Sequence, residues 1–249
     1  MKKPLVILSG GQDSTTCLYW AKQMPGVQEV HAVTFDYGQR HAAEIQSAQT
    51  VAEMAGVASH EFIKLPEGIL RGTSPLVNPD YEVGQYESAE TLPGGLEDTF
   101  VPARNILFLT LAANRAHCLG CDTLVIGVSQ EDYGGYPDCR VEFINAMERA
   151  ICEGMPKPLL IKKPLITLNK MRTVEMARDL DHAHYRETGR AEGGCLDALA
   201  YSHTCYNGEF PPCGSCHACL LRAKGFEEAE QYDPLIDRHN RLVAPGAHS

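Results

Sequence analysis

The stretch LVILSGGQDSTT, residues 5–16, decides how this chain folds. An apolar run of strand character stops on two glycines, and an acid and three hydroxyl residues follow at once. Strand, glycine turn and helix start in that order make an anion site. Gly10 and Gly11 let the backbone approach a ligand and adopt positive φ, while the free N–H groups of the helix start point at negative charge. Ser9, Ser14 and Thr15 add hydroxyl donors. The same string also reads as a tight βα turn with a serine capping the helix. Neither GxxxxGK[ST] nor GxGxxG occurs here, so the loop is neither a P-loop nor a dinucleotide fingerprint.

Outward from that loop, elements alternate. Residues 4–9 read as a buried strand and 14–24 as a helix; EVHAVTF (29–35) is the next strand, and 41–56 an amphipathic helix ending at Gly56. HEFIKL (60–65) is a third strand, NILFLTLAANRAHCLG (105–120) an apolar helix and TLVIGV (123–128) a fully buried strand. A helix over 140–153, a strand over 159–163 and a helix over 169–180 complete the series. Such alternation predicts an α/β fold, a parallel sheet with helices on both faces. Ligands of such sheets gather at the carboxyl ends of the strands. SGGQDS, DYGQRH, SQEDYGGYPDCR and PLITLNK all follow strands and are expected at one rim.

Two stretches stand outside the alternation. Residues 66–100 carry seven acids and a single Arg71, and a loop of that length is either a functional lid or poorly ordered. Residues 181–204 are polar, contain glycine and lead into a cysteine cluster. The expected organisation is one domain over 1–249: a nucleotide-binding core over 1–180 with 66–100 as its lid, then a metal-binding segment and tail over 181–249.

Charge and cysteine content narrow the function. A formal net charge of −10 disfavours a surface that grips a long phosphate backbone, although small anions can still bind in a locally positive pocket. The apolar run in MKKPLVIL is too short for a signal peptide, and no stretch reaches the length of a membrane span, so the chain reads as cytoplasmic. Its ten cysteines are then not expected as disulfides. Four of them, Cys205, Cys213, Cys216 and Cys219, are spaced C-x7-C-x2-C-x2-C and can close a tetrahedral shell around Zn²⁺. An iron–sulfur cluster is the rival, but the downstream cysteine and proline of a ferredoxin run are missing. With four protein ligands the metal is structural. His203 and His217 lie beside these ligands and would exceed four-coordination.

SGGQDS resembles the SGGxDS pyrophosphate loop of the N-type ATP pyrophosphatases, whose fold is adenine nucleotide alpha hydrolase-like. Taken with VTFDYGQRHAAEI (33–45), TFVPARNILFLTLAA (99–113), GYPDCR (135–140), TCYNG (204–208) and CGSCHACLLRAKGF (213–226), it makes the chain similar to the 7-cyano-7-deazaguanine synthase family over most of its length. The resemblance implies a ligase acting on 7-carboxy-7-deazaguanine, ammonia and ATP with Mg²⁺, by way of an adenylated acid and then an adenylated amide. It also implies a homodimer and no direct nucleic-acid partner.

Carried over residue by residue, it assigns ATP to Leu8, Ser9, Gly10, Gly11, Gln12, Asp13, Ser14, Thr15, Thr16, Cys17 and Leu18. Asp13, Arg104 and Lys170 are the catalytic candidates. Arg40, Asp132, Tyr133, Tyr136, Asp138 and Arg140 are the candidates for substrate binding. His41 stands either near the site or on the surface of its helix, Asn105 either caps its helix or serves the site, and Lys170 either reaches phosphates or is a solvated helix-start lysine. The family usually has Gly where Ala103 stands. Residues 181–202, with His182, His184 and Cys195, form an insertion, and no general base for ammonia is evident.

Overall fold

The computed structural model describes residues 2–39, 43–131 and 135–243. Five strands, β1 (Pro4–Ile7), β2 (His31–Asp36), β3 (Ser59–Lys64), β4 (Thr123–Val125) and β5 (Leu160–Lys162), form one sheet in the order β3-β2-β1-β4-β5. Every pairing is parallel, with Leu5 opposite His31 on one side and Leu124 on the other. The chain moves outward from β1 through β2 to β3 and then returns to the far side of β1 as β4. Strand order therefore reverses between β1 and β4, and a crevice opens beyond their carboxyl ends.

The period-two alternation of β1 divides the core. Val6 and Leu8 face one layer, packing with Leu18 of α1 (Gln12–Lys22), Val51 of α2 (Ala43–Ala55), Val174 of α5 (Lys170–Thr188) and Leu199 of α6 (Cys195–Leu199). Leu5 and Ile7 face the other, with Leu109 of α3 (Arg104–Leu119) and Ile144 of α4 (Val141–Gly154). Phe35 stacks on Phe108 at 4.3 Å between ring centroids, fixing α3 against β2. Each fully buried leucine contributes about 1.5–3 kcal/mol, so a β1 slipped by one residue would exchange both cores at once. Two further helices, α7 (His217–Glu228) and α8 (Pro234–Val243), close the chain, α7 lying against α5.

Two boundaries differ from the sequence reading. The strand expected over 123–128 pairs only through Val125, because beyond it Gly127 passes directly under the backbone of Asp13 and Ser14. The helix expected over 169–180 runs to Thr188 and stops at Gly189, whose φ of 70° gives a left-handed C-cap. Its apolar spacing ends at Leu180 because the last turns leave the core and run on into solvent; the 180/181 division thus falls inside α5.

Residues 66–100 hold a single 3-10 turn, Ala89–Thr91, yet bury Ser74, Asn78, Val83, Ala89, Glu97 and Thr99. They dock on the cysteine segment: Tyr86 N–H donates to Ser215 O at 2.9 Å, and Lys224 pairs with Glu90 at 3.2 Å. Among the described residues no helix is long and apolar enough to cross a membrane.

Candidate active site

The crevice is a cavity whose floor is the glycine loop. Leu8 N–H still reaches Val33 O at 2.9 Å, and the chain then turns through Ser9 and Gly10. Gly10 has φ +87°, and a Cβ there would lie 2.3 Å from Glu44 O and 2.7 Å from Ala48 N, so α2 packs directly on the turn. Gly11 is the N-cap of α1 at φ −80°, so of the two glycines only Gly10 uses the left-handed region. No side chain caps α1. Ser14 Oγ instead donates to Gly11 O at 3.1 Å and accepts from Ser9 N–H at 3.1 Å, which stiffens the turn and leaves the first-turn N–H groups of α1 for a ligand. Gln12 is 2% exposed and lines the cavity with neither amide atom partnered; Asp13 Oδ1 is likewise buried and unpaired. Buried polar atoms without partners cost about 1–3 kcal/mol each, which marks this floor as built for something that binds.

One wall carries a cation. Lys170 Nζ lies 2.6 Å from Asp13 Oδ2 across the cavity mouth. Lys170 opens α5, whose N-cap Asn169 accepts from Arg172 N–H at 2.9 Å. Two glycines outside the loop make the pair possible. A Cβ on Gly127 would come within 2.9 Å of the Asp13 carbonyl carbon, and one on Gly225 within 2.6 Å of Lys170 Cβ.

The facing wall belongs to α3. Its N-cap, Ala103, sits at φ 62°, a left-handed conformation that costs an L-residue about 1–2 kcal/mol, and it turns Arg104 into the cavity. Burial opposes the Arg104 charge, but Tyr37, Asp138 and Tyr206 around it outweigh that and hold the guanidinium protonated. Asp138 is buried at the start of α3. Its Oδ2 accepts from Asn105 N–H at 3.3 Å, and Asn105 Nδ2 donates to Asp138 O at 3.1 Å, so the cap of this helix comes from a distant loop. Burial raises the Asp138 carboxyl against the pull of Arg104. Tyr136 lines the cavity, its hydroxyl 2.6 Å from Thr99 Oγ1 and 3.2 Å from Glu97 Oε2. Glu44, in the first turn of α2 where that helix packs on Gly10, also lines it; burial pushes its carboxyl up to about 7, with Arg104 pulling the other way.

The cavity thus collects Leu8, Ser9, Gly11, Gln12, Asp13, Ser14, Arg104, Tyr136 and Lys170 from the sequence candidates. Thr15, Thr16, Cys17 and Leu18 are buried beneath it; Thr16 Oγ1 donates to Gln12 O at 3.0 Å, and Cys17 and Leu18 belong to the core. Arg140 is the exposed N-cap of α4, its guanidinium 3.4 Å from Gly135 O and off the cavity wall. Arg40, His41, Asp132 and Tyr133 lie outside the described residues. Sequence reasoning missed Tyr37, Glu44, Tyr206 and the cavity-facing role of His203. Their signal was present, since each stands in or beside a motif string, but only folding shows that they meet.

The four cysteines lie behind this cavity. Their Sγ atoms are all within 4.8 Å of one another, and Cys216 N–H points at Cys213 Sγ across 3.3 Å. Gly208 (φ 70°) and Gly214 (φ 74°) make the turns between ligands. Such a set of sulfurs can hold a metal ion. His217 is turned away from it into a buried ion pair with Glu97. The segment is tied to the loop, with His203 N–H donating to Gly10 O at 2.8 Å and His203 Nε2 3.0 Å from Cys205 O.

Comparison with known proteins agrees with this arrangement. Residues 3–230 match the family model described as queuosine biosynthesis protein QueC. The chain is 51% identical over 238 residues to the 7-cyano-7-deazaguanine synthase of Gloeobacter violaceus, covering 94% of this chain and 96% of that protein. It is 46% identical over 237 residues to the enzyme of the same name from Chromobacterium violaceum, covering 95% and 94%. Among solved structures it is similar to the U34-tRNA thiolase NcsA of Methanococcus maripaludis with its [4Fe-4S] cluster. The TM-score is 0.46 at 17% identity, over 99% of this chain and 68% of that one, a likeness too distant to bear on function. A family match spanning both the glycine loop and the cysteine shell, together with relatives this similar along their whole length, means that the chain belongs to the queuosine biosynthesis QueC family.

Proposed function

We propose that the chain is an ATP-dependent ligase that converts 7-carboxy-7-deazaguanine and ammonia into 7-cyano-7-deazaguanine. One observation carries the reading. A glycine loop with unpaired buried polar groups shares a single cavity with two cations of different bearing, Lys170 at Asp13 and Arg104 opposite. A carboxylate has no good leaving group, and removing oxygen from an amide is harder still, so each oxygen has to be made into a phosphate ester first. The substrate carboxylate attacks the α-phosphorus of ATP and pyrophosphate leaves. Ammonia attacks the acyl carbon and AMP leaves, giving the amide. The amide oxygen then attacks a second ATP, and loss of AMP with two protons leaves the C≡N bond. One pocket serves both rounds because both expel pyrophosphate from the same position.

In this reading the segment from Leu8 to Leu18 forms the ATP site. The α1 N–H groups stabilise charge developing on the leaving pyrophosphate, an effect strongest in a water-poor cleft. Lys170, oriented by Asp13, neutralises the same oxygens, and Arg104 clamps a planar anion, phosphate or substrate carboxylate. Tyr136 offers a ring face to the deazaguanine, and Arg40, Asp132 and Tyr133 are further contacts to the substrate. Mg²⁺ accompanies ATP, and the orphaned Asp13 Oδ1 suits it as an oxygen ligand.

Cys205, Cys213, Cys216 and Cys219 hold Zn²⁺. A metal–sulfur bond near 2.3 Å places sulfurs roughly 3.8 Å apart, within the span these residues share. That closed shell supplies stability and no chemistry. The chain acts as one cytoplasmic domain and as a homodimer, with 66–100 covering the core and 181–249 carrying the metal.

The test is incubation with the carboxy-deazaguanine, ammonium and Mg-ATP. Mass spectrometry is expected to find the amide before the nitrile, with two pyrophosphates released per nitrile. Absence of acid-dependent pyrophosphate exchange and of both products would overturn the reading.

A further inference from the structure

Attack by ammonia leaves a proton on nitrogen, and its acceptor has to stand on the cavity wall. Three carboxyl groups at or near the wall are already engaged. Asp13 Oδ2 is paired with Lys170, Asp138 holds the start of α3 through Asn105, and Glu97 is bonded by Thr99 and Tyr136 and paired with His217. Glu44 is different. It lines the cavity, and its carboxyl is held there by burial and the charge of Arg104, with no hydrogen bond to another described residue. Its position is fixed from behind, because its carbonyl oxygen would come within 2.3 Å of a Cβ on Gly10. The start of α2 and the floor of the cavity are therefore one packed unit. Among the described residues, the ionisable groups facing it are Arg104 from α3 and Tyr37 from the end of β2.

We propose that Glu44 is the general base for the amide-forming step, its carboxylate taking the proton from ammonia as the acyl adenylate is attacked. The step balances without another reactant. The nitrogen lone pair forms the C–N bond, the C–O bond to AMP breaks with its electrons leaving on the phosphate, and the proton passes from nitrogen to Glu44 and then to solvent. Two features suit the group to this work. Burial brings its carboxyl to about 7, close to the working pH, where a base is both available and strong enough. Arg104 lies beside it, so the cation that would orient the acyl adenylate and the base that would deprotonate its attacker occupy neighbouring positions.

This inference rests on the ligase reading, and the experiment separates the two. Parent protein and Glu44→Gln are assayed between pH 6 and 9 at fixed free ammonia, following acid-dependent ATP–pyrophosphate exchange without ammonia and amide formation with it. The parent rate of amide formation is expected to rise through pH 7 and level off, since the base works only when ionised. Glu44→Gln is expected to lose amide formation by about a hundredfold or more, far more than it loses pyrophosphate exchange, and to lose the inflection near pH 7. Glu44→Asp keeps a carboxylate and is expected to retain the inflection at a lower rate. Amide formation at the parent rate in Glu44→Gln, or loss of exchange and amide formation to the same degree, would overturn the role of Glu44. A parent that shows no acid-dependent exchange would instead overturn the ligase reading itself.

Discussion

The glycine loop and the cysteine segment meet at His203 and Gly10, yet they satisfy their polar groups in opposite ways. In the loop, Gln12 and Asp13 Oδ1 are buried without partners among the described residues, and no side chain of theirs caps the start of α1. In the cysteine segment, backbone N–H groups point at sulfur and the four thiols converge on one another. An open site keeps its hydrogen-bonding capacity for a ligand that comes and goes, whereas a closed site uses its capacity internally and returns it as stability. Damage to the first is therefore expected in turnover and damage to the second in folding.

Four changes put that contrast under strain, beginning with the largest effect. Cys216→Ser opens the shell at its most buried ligand; the variant is expected to lose bound metal and its cooperative thermal transition together, read by metal analysis and calorimetry. A metal-free variant that folds and works would erase the distinction. Asp13→Ala is the reverse case. Acid-dependent pyrophosphate exchange is expected to fall by about two to three orders of magnitude, while the thermal transition stays near that of the parent.

The contact between α7 and α5 sharpens the comparison because it serves both regions. Gly225→Ala would set a methyl 2.6 Å from Lys170 Cβ, costing about 1–3 kcal/mol in denaturant unfolding and lowering turnover through the displaced lysine. Unchanged turnover would mean that Lys170 does not need its present position. The smallest effect is a gain. Ala103→Gly relieves the left-handed strain before Arg104 and is expected to raise stability by about 1 kcal/mol, seen as a melting temperature higher by about 2–4 °C.

Much of this arrangement was legible in the linear chain, and for identifiable reasons. Strand–helix alternation follows from periodicity, which is local, so the parallel sheet and the glycine loop could be read before any contact was known. Cysteine spacing is local in the same way. What escaped was set by contacts distant in sequence. The extension of α5 to Thr188 has no apolar face to announce it, because its last turns lie in solvent. Asp138 capping α3 across 33 residues, and Gly127 and Gly225 making room for Asp13 and Lys170, could not be inferred from their neighbours in the chain. Ala103 was visible as an unusual residue, but only the backbone shows the positive φ it has to hold.

By itself, the sequence determined the order of the elements, the turn that ends β1 on glycine and the number of thiols available to a metal, since short-range sterics and spacing suffice for each. Only the tertiary structure decided which polar groups would be left without partners. Unpaired buried atoms are defined by everything packed around them. Gln12 looks ordinary in a line of residues, as does Glu44; the first becomes conspicuous as an unpaired amide and the second as a cavity-lining acid once α2, α3 and the sheet have closed.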